Sequence, residues 1–217
     1  MRNHIRITFY LFLAVCFSTA KAGAYEDFFR AVVLDDARSV ESLLQRGFDP
    51  NARDEKGQTP LYLSQREGSF KVAEVLLAHP QTRVDLVNGA GETALMMTAL
   101  RGYTAWIDRL VARGARIEGA NEGAAPGWTP LHYACAGPET QAVQALLTRG
   151  ARIDARSPNG TTPLMMAARY GSEASVDLLL KQGADTRLRN DLNLGPADFA
   201  QQGGRESLAA RLKALAP

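Results

Sequence analysis

Short stretches of the chain repeat an apolar pattern that is typical of helices with one buried side. In each stretch two apolar residues, three or four positions apart, are followed directly by a third, so that all three share one helical face. The pattern occurs five times, at Val40, Leu43 and Leu44; Val72, Leu76 and Leu77; Ile107, Leu110 and Val111; Val143, Leu146 and Leu147; and Val176, Leu179 and Leu180. A glycine, which favours the left-handed backbone that ends a helix, follows four of the stretches, at Gly47, Gly114, Gly150 and Gly183. The sequence therefore predicts five amphipathic helices.

A tetrapeptide that begins with threonine precedes four of these helices. Its copies are Thr59-Pro60-Leu61-Tyr62, Thr93-Ala94-Leu95-Met96, Thr129-Pro130-Leu131-His132 and Thr162-Pro163-Leu164-Met165, with a decayed fifth copy at Gly195-Pro196-Ala197-Asp198. Successive copies lie 34, 36, 33 and 33 residues apart. A threonine hydroxyl can cap a helix, and the following proline suits the first helical position, where no N–H is needed. Each period therefore holds two helices, and the chain is predicted to be a stack of helical hairpins.

The period and the Thr-Pro-Leu-His form of the third copy resemble the ankyrin repeat. The resemblance implies an all-α ankyrin-repeat solenoid of about six helix-turn-helix units in residues 23–217, with capping repeats at 25–51 and 190–217. Glycines that fall nine residues after the motif start are expected to turn the chain between the two helices through a positive φ, at Gly68, Gly102, Gly171 and Gly204. Ankyrin arrays are binding scaffolds, and the fold alone does not identify the ligand.

Residues 1–22 differ from the rest of the chain and have the pattern of a secretory signal peptide. Arg2 and Arg6 precede an apolar run at 7–17, and Ala20-Lys21-Ala22 offers a cleavage site with small residues. The run is about half of the ~20 apolar residues that a spanning helix needs. We therefore expect cleavage after residue 22, no membrane span in the mature chain, and a periplasmic or secreted location. A lipid anchor on Cys16 is the alternative, although the bulky Val15 precedes it.

Charge and cysteine content change once the signal peptide is removed. The whole chain has 25 basic and 23 acidic residues, and the first 22 residues contain three of the basic residues and none of the acidic ones. The mature chain is therefore close to neutral, which disfavours nucleic acid as a partner. Cys135 is then the one remaining cysteine, so no internal disulfide can form.

The motifs of catalysis are absent from the sequence. Only His79 and His132 remain in the mature chain, and His132 occupies the signature position at which, by resemblance, a histidine bonds to neighbouring backbone. Cys135 falls at a position that the family fills with a small residue, so we expect a buried thiol. The glycine-rich segment at 88–92 lacks the Lys-Ser/Thr of a phosphate-binding loop. We expect no enzyme activity, no cofactor and no metal site.

Ankyrin ligands usually bind the concave face, which consists of the finger turns and the exposed side of the first helices. The fold leaves some positions there free, and they contain residue types that dominate interface energetics. The predicted partner-binding residues are Trp128, Arg101, Arg169, Tyr170, Arg66 and Leu100. Trp128 follows an insertion of three residues in the fourth finger, at 123–127, and insertions in repeats often serve the binding face. In the alternative interpretation, Trp128 folds over its own finger.

Two other rows at repeat spacing have simpler explanations. An apolar row four residues past each motif start is expected to pack between repeats: Leu63, Met97, Tyr133, Met166 and Phe199. Arg83, Arg116 and Arg152 form a row after the second helices that could attract an acidic partner, but a solvated edge is expected because salt screens it.

These observations together predict an exported bacterial ankyrin solenoid, monomeric, that binds another protein on its concave face in the periplasm. Two alternatives stay open. The first is an immunity-type or inhibitor protein against a periplasmic toxin or enzyme. The second is an accessory factor for an oxidative-stress system, such as a catalase or its haem supply.

Overall fold

The computed structural model describes residues 23–119 and 127–215, and the secondary structure within these ranges is entirely helical. The first helix, α1, covers residues 23–33. It is followed by α2 (Ala37–Gln45), α3 (Pro60–Glu67), α4 (Phe70–Ala78), α5 (Ala94–Arg101), α6 (Thr104–Ala112), α7 (Pro130–Ala136), α8 (Thr140–Thr148), α9 (Pro163–Tyr170), α10 (Glu173–Lys181), α11 (Pro196–Gln202) and α12 (Glu206–Ala214). The predicted signal peptide and most of the fourth-finger insertion lie outside the described residues. No helix in the described part is long and apolar enough to cross a membrane.

The helices pair into six hairpins whose first members stack on one another. Helix α3 packs on α5, α5 on α7, α7 on α9 and α9 on α11, and in the hairpins from α3 to α12 the second helix packs against the first. The first two residues of the predicted apolar stripes are buried, and the third is partly buried in four of the five stripes. The all-α solenoid that the sequence predicts is therefore confirmed.

The threonine motif caps α3, α5 and α9 as expected, but at α7 the Thr129 hydroxyl bonds to the His132 ring nitrogen and caps no backbone N–H. The Thr59 hydroxyl accepts a hydrogen bond from the Tyr62 N–H at 3.2 Å, and Thr93 does the same for Met96 at 3.2 Å. The prolines of the motif occupy the first helical position in α3, α7, α9 and α11. These caps satisfy donors that no intrahelical carbonyl can reach, which explains where the first helices begin.

The inter-helix glycines follow the expected conformation in three units and depart from it in one. Gly68, Gly102 and Gly204 have φ of 75°, 74° and 71°. Gly171 has φ −83°, so the expected positive φ is wrong there. Glycine is required here because there is no room for a side chain: a Cβ on Gly171 would overlap the carbonyl oxygen of Cys135 in the preceding repeat. In this unit glycine permits close approach of two backbones rather than a left-handed turn.

Two arginines cap helices that lack a left-handed glycine. The Arg113 guanidinium donates to the carbonyl oxygen of Leu77 at 3.0 Å, at the end of α4. The Arg205 guanidinium donates to the carbonyls of Ala167 and Gly171, at the end of α9, at 3.0 and 2.9 Å. Each arginine belongs to the next repeat. Its guanidinium supplies hydrogen-bond donors for the last carbonyls of the helix, which the local sequence does not supply.

We expect Gly171→Ala to destabilise the protein by about 1–3 kcal/mol, the usual cost of forcing extra volume into a packed interior. The control is Gly23→Ala, because a Cβ on Gly23 meets no atom within 4 Å and its residue is helical. Urea unfolding followed by circular dichroism measures both free energies. Equal stability of the two variants would show that the repeats do not need this close approach.

Candidate partner-binding surface

In ankyrin arrays the concave face consists of the finger turns and the exposed sides of the first helices that follow them. An acceptor side chain five residues before the motif start holds the fingers. The Asp54 carboxylate accepts from the N–H groups of Lys56 and Gln58 at 2.9 and 2.7 Å. Asn88 and Asn190 make the equivalent pairs of bonds in the third and sixth units. These side chains imitate a backbone turn, so the finger tips are held before any partner arrives.

His132 joins the fourth unit to the fifth. Its Nδ1 accepts from the Thr129 N–H at 3.2 Å, so the ring proton is on Nε2, which donates to the Thr161 carbonyl at 3.0 Å. Burial lowers the pKa of His132 to about 4 from its ordinary 6.5, so the ring is neutral at physiological pH. Both nitrogens are engaged with backbone, which agrees with the structural role that the resemblance implies.

Glu92 links three consecutive units at the centre of the concave face. Its carboxylate accepts from the hydroxyl of Tyr62 at 2.7 Å, the amide of Asn88 at 2.8 Å and the hydroxyl of Tyr133 at 2.9 Å. Burial raises the pKa of Glu92, but these three hydrogen bonds outweigh burial and the net pKa is lowered. Burial, and then the bond to Glu92, raise the pKa of both tyrosines. We call this arrangement, in which the carboxylate of Glu92 bonds to side chains of three consecutive units, the Glu92 clamp.

Sequence reasoning missed the Glu92 clamp, although a signal for it exists. The motif start is preceded by an acid only in the third unit, and tyrosines occur one repeat earlier and one repeat later, at Tyr62 and Tyr133. Counted from the motif start, Tyr62 is the fourth residue of its repeat and Tyr133 is the fifth residue of its own. A search for tyrosine at one fixed position of the repeat therefore finds only one of the two.

Trp128 is half-buried and contacts its own finger. Its ring packs edge to face against His132, with ring centroids 5.3 Å apart. The contact supports the alternative interpretation, in which Trp128 folds over its own finger, and contact of Trp128 with a partner stays a prediction.

The other predicted contacts lie at the far ends of the first helices. Arg101 ends α5, where its guanidinium donates to the Tyr103 hydroxyl at 3.1 Å. Arg169 lies 5.0 Å from the ring centroid of Tyr170, which is 56% exposed, at the end of α9. Trp128 precedes the start of α7, and that helix of 7 residues is about 10 Å long. The structure therefore divides the predicted site into a finger region and a helix-end region.

Arg66 and Leu100 are more constrained than the sequence suggests. The Arg66 guanidinium donates to Glu67 at 2.7 Å and to the side chain of Gln58 at 2.8 Å. Leu100 is partly buried, and its carbonyl oxygen lies where a Cβ on Gly137 would be. Both residues support the face, and only part of each remains available to a partner.

The two rows at repeat spacing are explained by packing and by ion pairs. In the apolar row Leu63, Met97 and Phe199 are buried and Tyr133 and Met166 are partly buried. In the arginine row Arg116 binds Asp85 at 3.0 Å and Arg152 binds Glu118 at 2.8 Å, each acid belonging to the preceding repeat. Two of the three arginines therefore link neighbouring repeats through ion pairs, and Arg83 donates its backbone N–H to the Asn51 side chain at 2.8 Å.

Cys135 is fully buried, as expected, and burial raises the pKa of its thiol. In the described ranges no three side chains of His, Cys, Asp or Glu are grouped so that they could hold a metal ion.

Comparison with known proteins identifies the family. The family model for ankyrin repeats, in three copies, matches residues 28–121 and 107–190. The chain therefore belongs to the ankyrin repeat family.

The curated relatives match over ankyrin repeats within much longer proteins. The chain is 32% identical over 163 residues to the nuclear factor NF-kappa-B p105 subunit of Gallus gallus, and 30% identical over 184 residues to Rabankyrin-5 of Homo sapiens. Both matches cover 74% of this chain but 16% of the relative. The chain thus spans about a sixth of these relatives.

A solved structure matches over nearly its whole length. It is the ankyrin-like immunity protein in the complex of Bd0816, a predatory endopeptidase from Bdellovibrio bacteriovorus, with immunity protein Bd3460. The match has a TM-score of 0.70 and 27% identity, and it covers 87% of this chain and 97% of that chain.

Acid is expected to weaken the fold through His132. The folded-state pKa is lower than the unfolded one, so the unfolded chain takes up the proton first and stability falls as pH decreases from 6.5 towards 4. The full loss of unfolding free energy from this one residue is about 3 kcal/mol. A His132→Gln variant cannot titrate, so the difference in unfolding free energy between parent and variant should shrink over this range. A difference that stays constant from pH 7 to pH 4 would contradict the prediction.

Glu92→Gln is expected to cost about 1–3 kcal/mol of unfolding free energy, because an amide group leaves one of the three donors without an acceptor. Glu55→Gln is the matched control, since Glu55 is an exposed finger carboxylate. Denaturant unfolding measures both, and an equal effect of the two substitutions would show that the carboxylate clamp contributes nothing.

Proposed function

We propose that this chain is an exported protein-binding module that presents its concave face to one protein partner in the bacterial periplasm. The observation that carries the proposal is the rigidity of that face. Asp54, Asn88 and Asn190 hold the fingers, while His132 and Glu92 bond across units. A face that is already ordered loses little conformational entropy on binding. Less of the favourable free energy of the contacts is then offset, and the affinity is higher.

Export is part of the proposal and rests on the sequence of residues 1–22. Arg2 and Arg6, the apolar run at 7–17 and Ala20-Lys21-Ala22 support it. N-terminal sequencing of the protein isolated from its host tests it directly, and the expected first residue is Gly23. A sequence that starts at Met1, or a lipid on Cys16, would reject cleavage after residue 22.

Within the concave face, two regions offer contacts. The helix-end region has Arg101 beside Tyr103 and Arg169 beside Tyr170, and arginine and tyrosine are enriched in binding hot spots. The finger region has Trp128. A partner that contacts both regions would span the length of a first helix.

An immunity-type inhibitor is the second candidate, and one observation favours it. The structural match covers 97% of the immunity protein's chain, whereas the curated relatives are covered to 16%. The described repeats thus correspond to nearly the whole chain of that immunity protein. In this version the partner is an enzyme of the same compartment, which the concave face blocks.

The haem-accessory hypothesis gains less support from the described residues. Both nitrogens of His132 are bonded to neighbouring groups, and the Cys135 thiol is buried. Neither can bind haem iron without opening the repeat stack.

Crosslinking in the intact periplasm, followed by purification and mass spectrometry, identifies the partner. We expect Trp128→Ala and Tyr170→Ala each to weaken its binding by about 2 kcal/mol, which is roughly 30-fold in Kd. Lys71→Ala, on the exposed side of α4, should change Kd by less than about fivefold.

Circular dichroism must show unchanged helix content, because Trp128 also supports its finger through His132. If both folded variants bind the partner as tightly as the parent, the two regions are not the binding surface. Assay of a captured enzyme with and without this protein separates an inhibitor from a passive scaffold.

A further inference from the structure

A groove of about 380 Å³ lies at the N-terminal end of the concave face, between α1, the second-unit finger and α3. We call it the N-terminal groove. Its apolar lining consists of Phe29, Val33, Leu34 and Leu63. Phe29 and Leu63 are buried and form the floor, whereas Val33 and Leu34 are 45% and 71% exposed. Single exposed apolar residues are ordinary, but two consecutive ones beside an apolar groove form a surface that water covers poorly.

The backbone holds Val33 and Leu34 in this exposed position. Asp35, directly after them, has φ 55°, a left-handed conformation that is unfavourable for a residue with a side chain. Its carboxylate accepts from the Val72 N–H at 3.0 Å, and the Ser69 hydroxyl donates to the Val33 carbonyl at 3.3 Å. The Ser69 side chain and the Val72 backbone of the next repeat therefore fix the turn that follows α1. The exposed pair is pre-organised and does not have to be ordered by a ligand.

The rim of the N-terminal groove is cationic. Arg30, Lys56 and Arg66 line it, against the one lining carboxylate of Asp54. That carboxylate is engaged by the backbone N–H groups of Lys56 and Gln58.

The three cations differ in what already binds them. Arg66 is held by Glu67 and Gln58. Arg30 lies 4.0 Å from Asp27, and both of these side chains are mostly exposed. Lys56 is exposed and forms no ion pair with any residue in the described ranges. The rim therefore complements a negatively charged group, and Lys56 is the most available cation.

We propose that the N-terminal groove binds a loop of the protein partner that carries a bulky apolar side chain next to a carboxylate. The apolar side chain packs against Val33, Leu34 and Leu63, and the carboxylate pairs with Lys56. This inference rests on the proposed function and adds the chemistry of the partner. It also extends the contact surface two repeats away from Trp128.

A library of random dodecapeptides displayed on phage and selected on the purified protein tests the proposal. We expect the selected peptides to share an apolar residue beside Asp or Glu. A labelled synthetic copy of one such peptide should lose at least tenfold in affinity with Leu34→Asn and with Lys56→Glu, measured by fluorescence anisotropy.

The chain offers a matched control for each substitution. Leu192 is 75% exposed on the last finger, so Leu192→Asn removes a comparable apolar side chain at the opposite end. Lys71→Glu reverses an exposed charge on α4. Both controls should bind the peptide as the parent does. All four positions are exposed, and circular dichroism confirms that each variant is folded.

Several results would overturn the proposal. These are a failure to select any peptide, selected peptides without an acidic residue, or equal binding by Leu34→Asn and the parent. Sedimentation that shows dimers lost in Leu34→Asn would assign the groove to a second copy of the chain. Peptide binding that appears only once residues 1–22 are removed would assign it to that segment.

The same variants separate this inference from the proposed function. If the captured partner binds Leu34→Asn normally but is lost with Tyr170→Ala, the proposed function stands and the groove inference fails. If the peptide binds as expected but the periplasm yields no protein partner, the groove chemistry stands and the proposed function fails.

Discussion

Close backbone contact between successive first helices is the constraint on which the rest of this structure depends. Gly137, Gly171 and Gly203 each pack against a carbonyl oxygen of the preceding repeat, in positions where a Cβ would collide with it. These contacts fix how far apart the helices stand and how each is rotated. The finger turns follow directly from the first helices, so their spacing is set by the same contacts. A rigid concave face is therefore a consequence of backbone geometry as much as of the side chains that line it.

Polar side chains then bond the stacked units to one another. His132 reaches the Thr161 carbonyl, Arg205 caps α9 of the preceding repeat, and Glu92 joins Tyr62 to Tyr133. In a solenoid each unit usually contacts only its neighbours, and stability is a sum of such interfaces. The carboxylate of Glu92 follows this rule on both sides, since it engages the unit before its own and the unit after it.

The elements that the sequence predicted are those with local causes. Threonine caps, proline at the first helical position and apolar stripes all act within a few residues, and they placed the helices correctly. Sequence reasoning missed three features: the close backbone approach at Gly171, the cap supplied by Arg205 and the Glu92 clamp. Each of them joins residues about one repeat apart or more. Such contacts depend on how neighbouring units are rotated, which a motif does not encode. The N-terminal groove was missed because the first unit lacks the threonine motif.

The Glu92 clamp limits how this protein can evolve. Repeat arrays usually gain, lose and exchange units by duplication and recombination, since each unit brings its own interface. Here the third unit contributes the carboxylate, and its neighbours contribute the two tyrosines at different positions of the motif. Inserting a unit between them, or exchanging their order, would leave a half-buried carboxylate without one or both of its tyrosine donors. The second, third and fourth units therefore constrain one another through a single carboxylate, and a change in their order would cost stability.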